Sequence, residues 1–416
     1  MTNPFSYPPR PWDRALAVAG RVERVVRAGV RMVRAGRLPE RISPAQGFHP
    51  GLSERRPEGR PVIYLPAVAW GYRFQRPQHL ALALARAGHP VLYVDGFLRS
   101  RMLPARILLA EQAGVSVLRV RIPGRLDPYR SVLSGGAAVE VAEVIAAGVS
   151  KKPALVLVQL PFWGPVGREI CRRLGCPLVY DRIDLHTGFP GVPAEIEAAE
   201  AALISGADVV AATAGALAEL PRERGARVVM VPNAADLRTF APRARERSEI
   251  RIGYVGALGP WFDVAAVRAA ALAFPAWRFR LAGRVEDSAV AALSELANVE
   301  LLGEIPFREV PGFLGDVDAA LIPFQDLPLT RAVDPVKLYE ALAMGLPVVA
   351  RRLPETERWS PPQVYLYESP EDFVGQLRRA VEEDSPERRS ERRAASEGES
   401  WDRRAEDLLG VLKSVR

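Results

Sequence analysis

Short apolar runs rich in β-branched residues alternate along this chain with Ala- and Leu-rich segments of helical spacing, and past about residue 245 the alternation starts again. Strands of that kind have no polar face to show to water. Each must be covered on both sides, as in a parallel sheet flanked by helices. The first series predicts strands at 62–68, 91–95, 115–122, 154–159, 178–181, 209–211 and 228–231; the second predicts them at 250–255, 277–282, 299–302, 319–323, 348–350 and 364–367. The charged stretch 243–249 separates them as a linker. The expected fold class is α/β, two doubly wound Rossmann-like domains with a cleft between them. Ligands in such sheets bind beyond the carboxyl ends of the strands, so strand-to-helix loops of both halves should build the site.

The expected organisation is a basic arm at 1–60, a first domain at 61–245, a second at 246–390, and a charged terminal helix at 391–416 that can pack back across the junction through Trp401. A chain of 416 residues, 48% hydrophobic and 25% charged, is long enough for two cores. No apolar stretch approaches the ~20 residues of a membrane-spanning helix, and residues 1–10 lack the apolar centre of a signal peptide, so a cytoplasmic location is expected. The only cysteines, Cys171 and Cys176, are too few for a disulfide framework and have no nearby histidine or second pair for zinc. No metal site is expected.

Residues 1–60 hold twelve arginines against five acids, an excess equal to the chain's whole net charge of +7. The remainder is balanced, so nucleic acid is not an expected partner. Val18, Val22, Val25, Val26, Val30 and Val33 recur at three- and four-residue spacing, with Arg24, Arg27, Arg31 and Arg34 largely opposite. Such a basic amphipathic helix can lie on an anionic membrane, which would make the protein peripheral at the inner face, or pack on the protein body. The pattern leaves both open.

The segment Asp334-Pro335-Val336-Lys337-Leu338-Tyr339-Glu340 carries the strongest chemical signal. It follows a predicted buried strand and reads as an Asp N-cap with proline at the first helical position. A helix start at a strand's carboxyl end suits a diphosphate. Lys337 in the first turn would neutralise phosphate, and Glu340 one turn on could accept hydrogen bonds from a ribose diol. The chain's only lysines are Lys151, Lys152, Lys337 and Lys413 against an otherwise arginine-based complement, which makes Lys337 conspicuous.

With its surroundings, this segment resembles the donor domain of the GT-B glycosyltransferases, the "group 1" family designated family 4. The matching pieces are Ile252-Gly253-Tyr254-Val255-Gly256-Ala257, Leu281-Ala282-Gly283, Leu301-Leu302-Gly303-Glu304-Ile305, Ala320-Leu321-Ile322-Pro323-Phe324 and the run 335–349. Val231-Pro232-Asn233-Ala234-Ala235-Asp236 and Arg76-Pro77-Gln78-His79-Leu80 extend the likeness more weakly into the first half, toward a bacterial surface-polysaccharide branch of teichuronic-acid type. The resemblance implies a nucleoside diphosphate sugar as donor substrate, no cofactor and no metal. It implies donor-binding roles for Gly256, Arg284, Glu304, Ile305, Asp334, Leu338 and Glu340, with Arg331 and Lys337 stabilising the departing diphosphate. The family pattern has a second acid eight residues before Glu340, and here that position is Ala332. Sugar recognition must therefore differ; Asp334 can serve as a substitute contact or as a helix cap. Asp316-Val317-Asp318 resembles the metal-binding pair of the other major glycosyltransferase fold, but it opens a predicted buried strand.

On the acceptor side, Asp184 and His186 lie at a strand's carboxyl end and can accept a proton from an incoming hydroxyl. Trp70, Gln75, Arg76 and His79 follow the first strand, and Gln75, Arg76 and His79, at or near a helix start, suit an anionic acceptor such as a lipid-linked diphosphate. Trp163 can stack on a sugar or plug the core. The expected activity is transfer of a sugar to a hydroxyl of a glycan or glycolipid, with retention of configuration as the resemblance suggests. A non-catalytic relative that binds glycan or a partner enzyme, and another enzyme of nucleotide sugars such as an epimerase, are the alternatives. A dehydrogenase is disfavoured, since no Gly-x-Gly-x-x-Gly follows either first strand.

Overall fold

The computed structural model describes residues 57–71, 73–98, 106–122, 126–189, 191–242 and 249–412. The basic arm, and with it the membrane reading, lies outside them, as does most of the linker.

The first half carries β1 (Val62–Leu65), β2 (Val91–Leu98), β3 (Arg106–Gln112), β4 (Val115–Arg121), β5 (Leu155–Val158), β6 (Leu178–Arg182), β7 (Val209–Ala212) and β8 (Val228–Met230). Its helices are α1 (Arg76–Arg86), α2 (Gly135–Ala146), α3 (Gly164–Leu174), α4 (Ala194–Gly206) and α5 (Gly215–Glu223). The eight strands lie in the order β3-β4-β2-β1-β5-β6-β7-β8, all parallel except the β3–β4 pair. Alternate residues of one strand enter opposite cores: Ile63 and Leu65 pack with Val156 and Val158 on one face, Val62 and Tyr64 with Leu155 and Leu157 on the other.

The second half carries β9 (Arg251–Val255), β10 (Arg278–Ala282), β11 (Val299–Gly303), β12 (Ala319–Ile322), β13 (Val348–Arg351) and β14 (Val364–Tyr367). Its helices are α6 (Val264–Ala273), α7 (Ser288–Ala291), α8 (Val310–Gly315), α9 (Pro328–Arg331), α10 (Val336–Ala343) and α11 (Pro370–Glu382). The sheet order β11-β10-β9-β12-β13-β14 reverses between β9 and β12, the switch point at which doubly wound sheets open a crevice. Local chemistry starts the helices: Asp263 accepts from the Ala266 amide at 3.0 Å before α6, and Ser369 from the Asp372 amide before α11.

Two further helices, α12 (Pro386–Ser396) and α13 (Trp401–Leu412), end the described chain. α12 packs on α10 in the second half, whereas α13 crosses to the first half and packs on α1. Trp401, 1% exposed, enters the same core as Leu80 and Leu84, and Asp402 pairs with Arg86 at 2.6 Å. No described helix is long and apolar enough to cross a membrane.

Each predicted strand has an observed counterpart. Beyond them, β3 pairs antiparallel with β4 at the sheet's edge. An edge strand needs only one covered face and gives a weaker apolar signal.

Candidate functional site

A cleft of about 420 Å³ opens at the carboxyl ends of both sheets. The second half contributes Val255 at the end of β9 and Gly256 after it, Gly283 and Arg284 after β10, Glu304 and Ile305 after β11, Phe324 after β12, and Val333 to Lys337 with Glu340 at the start of α10. The first half contributes Ala67 and Val68 after β1, Arg73 to Pro77 entering α1, Tyr129, and Ile183 and Asp184 after β6.

Lys337 is held by glycine geometry. Gly256 has φ +144°, and a Cβ there would collide with Lys337 Nζ; a Cβ on Gly283, φ +156°, would strike the Gly256 carbonyl. The space lets the ammonium sit 3.0 Å from the Tyr254 hydroxyl and 4.2 and 5.2 Å from the ring centres of Tyr254 and Phe324. Tyr254 donates its own proton to the Ala257 carbonyl, so its oxygen is free to accept from the lysine. Lys337 has no ion-pair partner within 4 Å among the described residues. Burial pushes its pKa down to about 7, against the opposing charge of Glu340. Glu340 is 8% exposed and likewise makes no hydrogen bond or ion pair with the described residues; burial pushes its carboxyl up to about 7. A cation and a carboxylate are thus held at one wall of the cleft, each with unused bonding capacity.

Other residues on this side differ from expectation. Asp334 is not the helix cap: α10 starts one residue later, behind Pro335. Its carboxylate accepts from the Asn233 amide at 2.6 Å and from the Tyr339 hydroxyl at 2.8 Å, while the Asn233 side chain donates to the Asp334 carbonyl. Asp334 therefore ties α10 to the end of the first half, and burial raises its pKa to about 6. Arg331 is not among the cleft residues. Its side chain is 59% exposed and grips Asp326 with two bonds of 2.5 and 2.8 Å. Leu338 points into the core, 1% exposed. Arg284 lines the cleft with Glu286 3.5 Å away, and Glu304 reaches across it to Arg73 at 2.6 Å. Ala332 packs with Ala212, Ala214, Leu217 and Ala218 of the first half, where a carboxylate would be desolvated against alanines.

On the facing wall, Asp184 and Gln75 line the cleft. Asp184 has no hydrogen-bonding partner among the described residues; burial raises its pKa, and His186 opposes the shift. His186 itself is 3% exposed, outside the cleft lining, with Nε2 unbonded and its pKa lowered by burial. Arg76 faces the cleft but is neither a surface residue nor free for an anion. It is 4% exposed, forks onto Asp181 at 2.7 and 3.1 Å, and donates to the Pro232 carbonyl and the Asn233 side chain. His79 is buried at the junction of α1 and α13, its ring stacked on Trp401 at 5.1 Å and edge-on to Phe74. Trp70 packs on Tyr93, outside the lining, and its amide donates to Asp95. Trp163 is the core plug, 2% exposed, its indole N–H bonded to the Pro66 carbonyl.

Tyr254 and Phe324, which seat Lys337, and Asn233, a junction post that accepts from Arg76, donates to Asp334 and accepts from Arg404 at its carbonyl, were not among the expected site residues. Tyr254 stands two residues before Gly256, so strand alternation could have turned both to one face. Nothing local marks Asn233, whose partners are distant in sequence. Asp316 pairs with Arg251 and Arg280, and Asp318 accepts from the Arg251 amide, at the far end of the sheet from the cleft. Among the described residues no group of three or more His, Cys, Asp or Glu stands together as a metal site would require.

Residues 249–383 match the family model "Glycosyl transferases group 1" and residues 75–234 the "Glycosyl transferase 4-like domain". The chain is 32% identical over 162 residues to TuaH of Bacillus subtilis (strain 168), a protein assigned by name to teichuronic acid biosynthesis as a glycosyltransferase. That match covers 37% of this chain and 41% of the relative, less than half of either. Similar solved structures include a sucrose-phosphate synthase (tll1590) from Thermosynechococcus elongatus, with TM-score 0.66 and 15% identity over 86% of this chain and 99% of that one. Anabaena Alr3699/HepE in complex with UDP and glucose gives TM-score 0.60 and 15% identity, covering 86% of this chain and all of that one (100%). The catalytic domain of starch synthase IV from Arabidopsis thaliana, bound to ADP and acarbose, gives 0.62 and 12%, covering 86% and 99%. At these identities the likeness is one of fold. Two glycosyltransferase domain models in tandem, one on each facing sheet, make this chain a member of the glycosyl transferases group 1 family with the GT-B architecture.

Proposed function

We propose that this protein moves a sugar from a nucleoside diphosphate sugar to a hydroxyl of a glycan or glycolipid, with retention of configuration and without a metal. The observation that carries the reading is the placing of Lys337 and Glu340 together beside Gly256 at the sheet's switch point: among the described residues Lys337, half-buried, bonds only the Tyr254 hydroxyl and has no ion-pair partner, and Glu340, buried, has neither hydrogen bond nor ion pair. Lys337 supplies positive charge where the diphosphate departs, a role that strengthens as the leaving charge grows. Glu340 accepts from the ribose hydroxyls. Asp184 on the opposite wall holds the incoming hydroxyl and its proton. Retention and independence of metal come from the family resemblance.

Release of free nucleotide from UDP-, GDP-, ADP- and dTDP-sugars, measured with and without EDTA, tests this reading. Turnover of one donor that survives chelation supports it, and turnover restored only by a divalent ion contradicts the metal-independent part. A second reading, a glycan-binding relative without turnover, is motivated by Ala332; donor hydrolysis in the absence of acceptor would remove it. For the arm we keep attachment to an anionic membrane as a reading of the sequence. Flotation with anionic liposomes of the full chain and of a chain lacking residues 1–45 tests it, and equal flotation would reject it.

A further inference from the structure

We infer that the acceptor wall of the cleft is built for an uncharged sugar and disfavours carboxylated or phosphorylated ones; this rests on the transferase reading above. Among the described residues four cations line the cleft: Arg73, Arg76, Arg284 and Lys337. The last two stand on the donor side. Of the first-half pair, Arg76 spends its whole fork on Asp181, Asn233 and the Pro232 carbonyl, and at 4% exposure cannot turn to a ligand without stranding Asp181. Arg73 is committed to Glu304 across the cleft at 2.6 Å. What the first half's lining offers a ligand is Asp184, which has no hydrogen-bonding partner among the described residues, with the Gln75 side chain and the Tyr129 ring beside it.

A carboxylate, an amide and an aromatic face suit a polyol, whose hydroxyls donate to the acid while its C–H face lies on the ring. A uronate or sugar phosphate would bring a second negative charge toward Asp184 with no uncommitted cation among the described residues that line that wall. Like charges in a partly desolvated site cost enough to lower affinity by about tenfold or more. Asp184 on this account selects against acidic acceptors as well as receiving the hydroxyl proton. Arg76, at a helix start facing the cleft, is an internal fastening.

The test uses the full chain saturated with whichever of UDP, GDP, ADP or dTDP binds it, titrated with methyl glycosides of glucose, galactose and mannose, and in parallel with methyl glucuronide, methyl galacturonide and mannose 6-phosphate. The expected result is binding of at least one neutral glycoside, about tenfold or more tighter than its charged counterpart. Asp184→Asn should narrow that gap to about threefold or less, by removing the repelling charge. Arg76→Gln should lower the thermal midpoint and leave the neutral-to-charged ratio unchanged. A charged sugar that binds wild type as tightly as its neutral counterpart would overturn the inference. So would an unchanged gap in Asp184→Asn, an altered ratio in Arg76→Gln, or no neutral glycoside binding while nucleotide binds. Failure of all four nucleotides to bind would strike the transferase reading instead.

Discussion

Arg76 and Lys337 stand at the same kind of place, the start of a helix at a sheet's carboxyl edge, on opposite walls of one cleft. Their surroundings separate them. Arg76 meets a buried carboxylate of its own chain, whereas Lys337 meets two aromatic faces and a hydroxyl, with Glu340 nearby but beyond ion-pair distance. A charge satisfied internally fastens the fold. A buried charge left partly unsatisfied is available to a ligand, and the fold bears the cost of keeping it there.

The sharpest way to break this contrast is Arg76→Met. It leaves Asp181, 1% exposed at its side chain, without its counter-ion, and should lower stability by about 3–5 kcal/mol in urea unfolding. Lys337→Met should do the reverse, leaving stability nearly unchanged or raised while weakening nucleoside diphosphate binding about 100-fold, as loss of a buried charge partner does. Glu340→Gln should weaken nucleoside and nucleoside diphosphate alike by about tenfold, since its bonds go to the ribose. Comparing UDP with uridine would then assign each side chain to its end of the ligand. Arg331→Gln, which removes an exposed arginine paired with Asp326 outside the cleft lining, should change affinity by no more than about twofold.

pH sharpens the same comparison by several-fold effects. The Lys337 pKa is pushed down to about 7 by burial, so deprotonation removes the phosphate-binding charge and affinity should fall as pH rises above 7. The Glu340 carboxyl is pushed up to about 7, so affinity for the ribose should fall as pH drops below 7. Diphosphate binding should therefore peak near neutrality. Uridine should lose only the alkaline limb. Lys337→Arg, whose charge persists, should also lose that limb for UDP, and calorimetry across pH 5.5–8.5 checks both.

The two sheets were legible because buried strands such as Leu155–Val158 and Val209–Ala212 consist of apolar residues throughout. The donor wall was legible through Gly256, Lys337 and Glu340, where backbone freedom and a charge on a helix start have local signatures. Asp334-Pro335 reads locally as a cap, but the Asn233 amide reaches the same carboxylate from 101 residues away and outcompetes that use. The burial of Arg76 and His79, and the choice between core and sugar for Trp163, are decided by Asp181, Trp401 and Pro66, and no spacing rule within one segment reports partners so distant. Ala332, conspicuous as a missing acid, is explained by its alanine neighbours in the first half.

On the donor side, the wall formed by Gly256, Lys337 and Glu340 is the proposed seat of a nucleoside diphosphate. Calorimetric titration of the wild-type chain and of Lys337→Met with UDP, GDP, ADP and dTDP tests it most directly. Saturable one-to-one binding of at least one nucleotide to wild type is expected, with about 100-fold weaker binding to the variant at unchanged fold stability. Absence of binding by all four, or equal affinity of the two proteins, would contradict it.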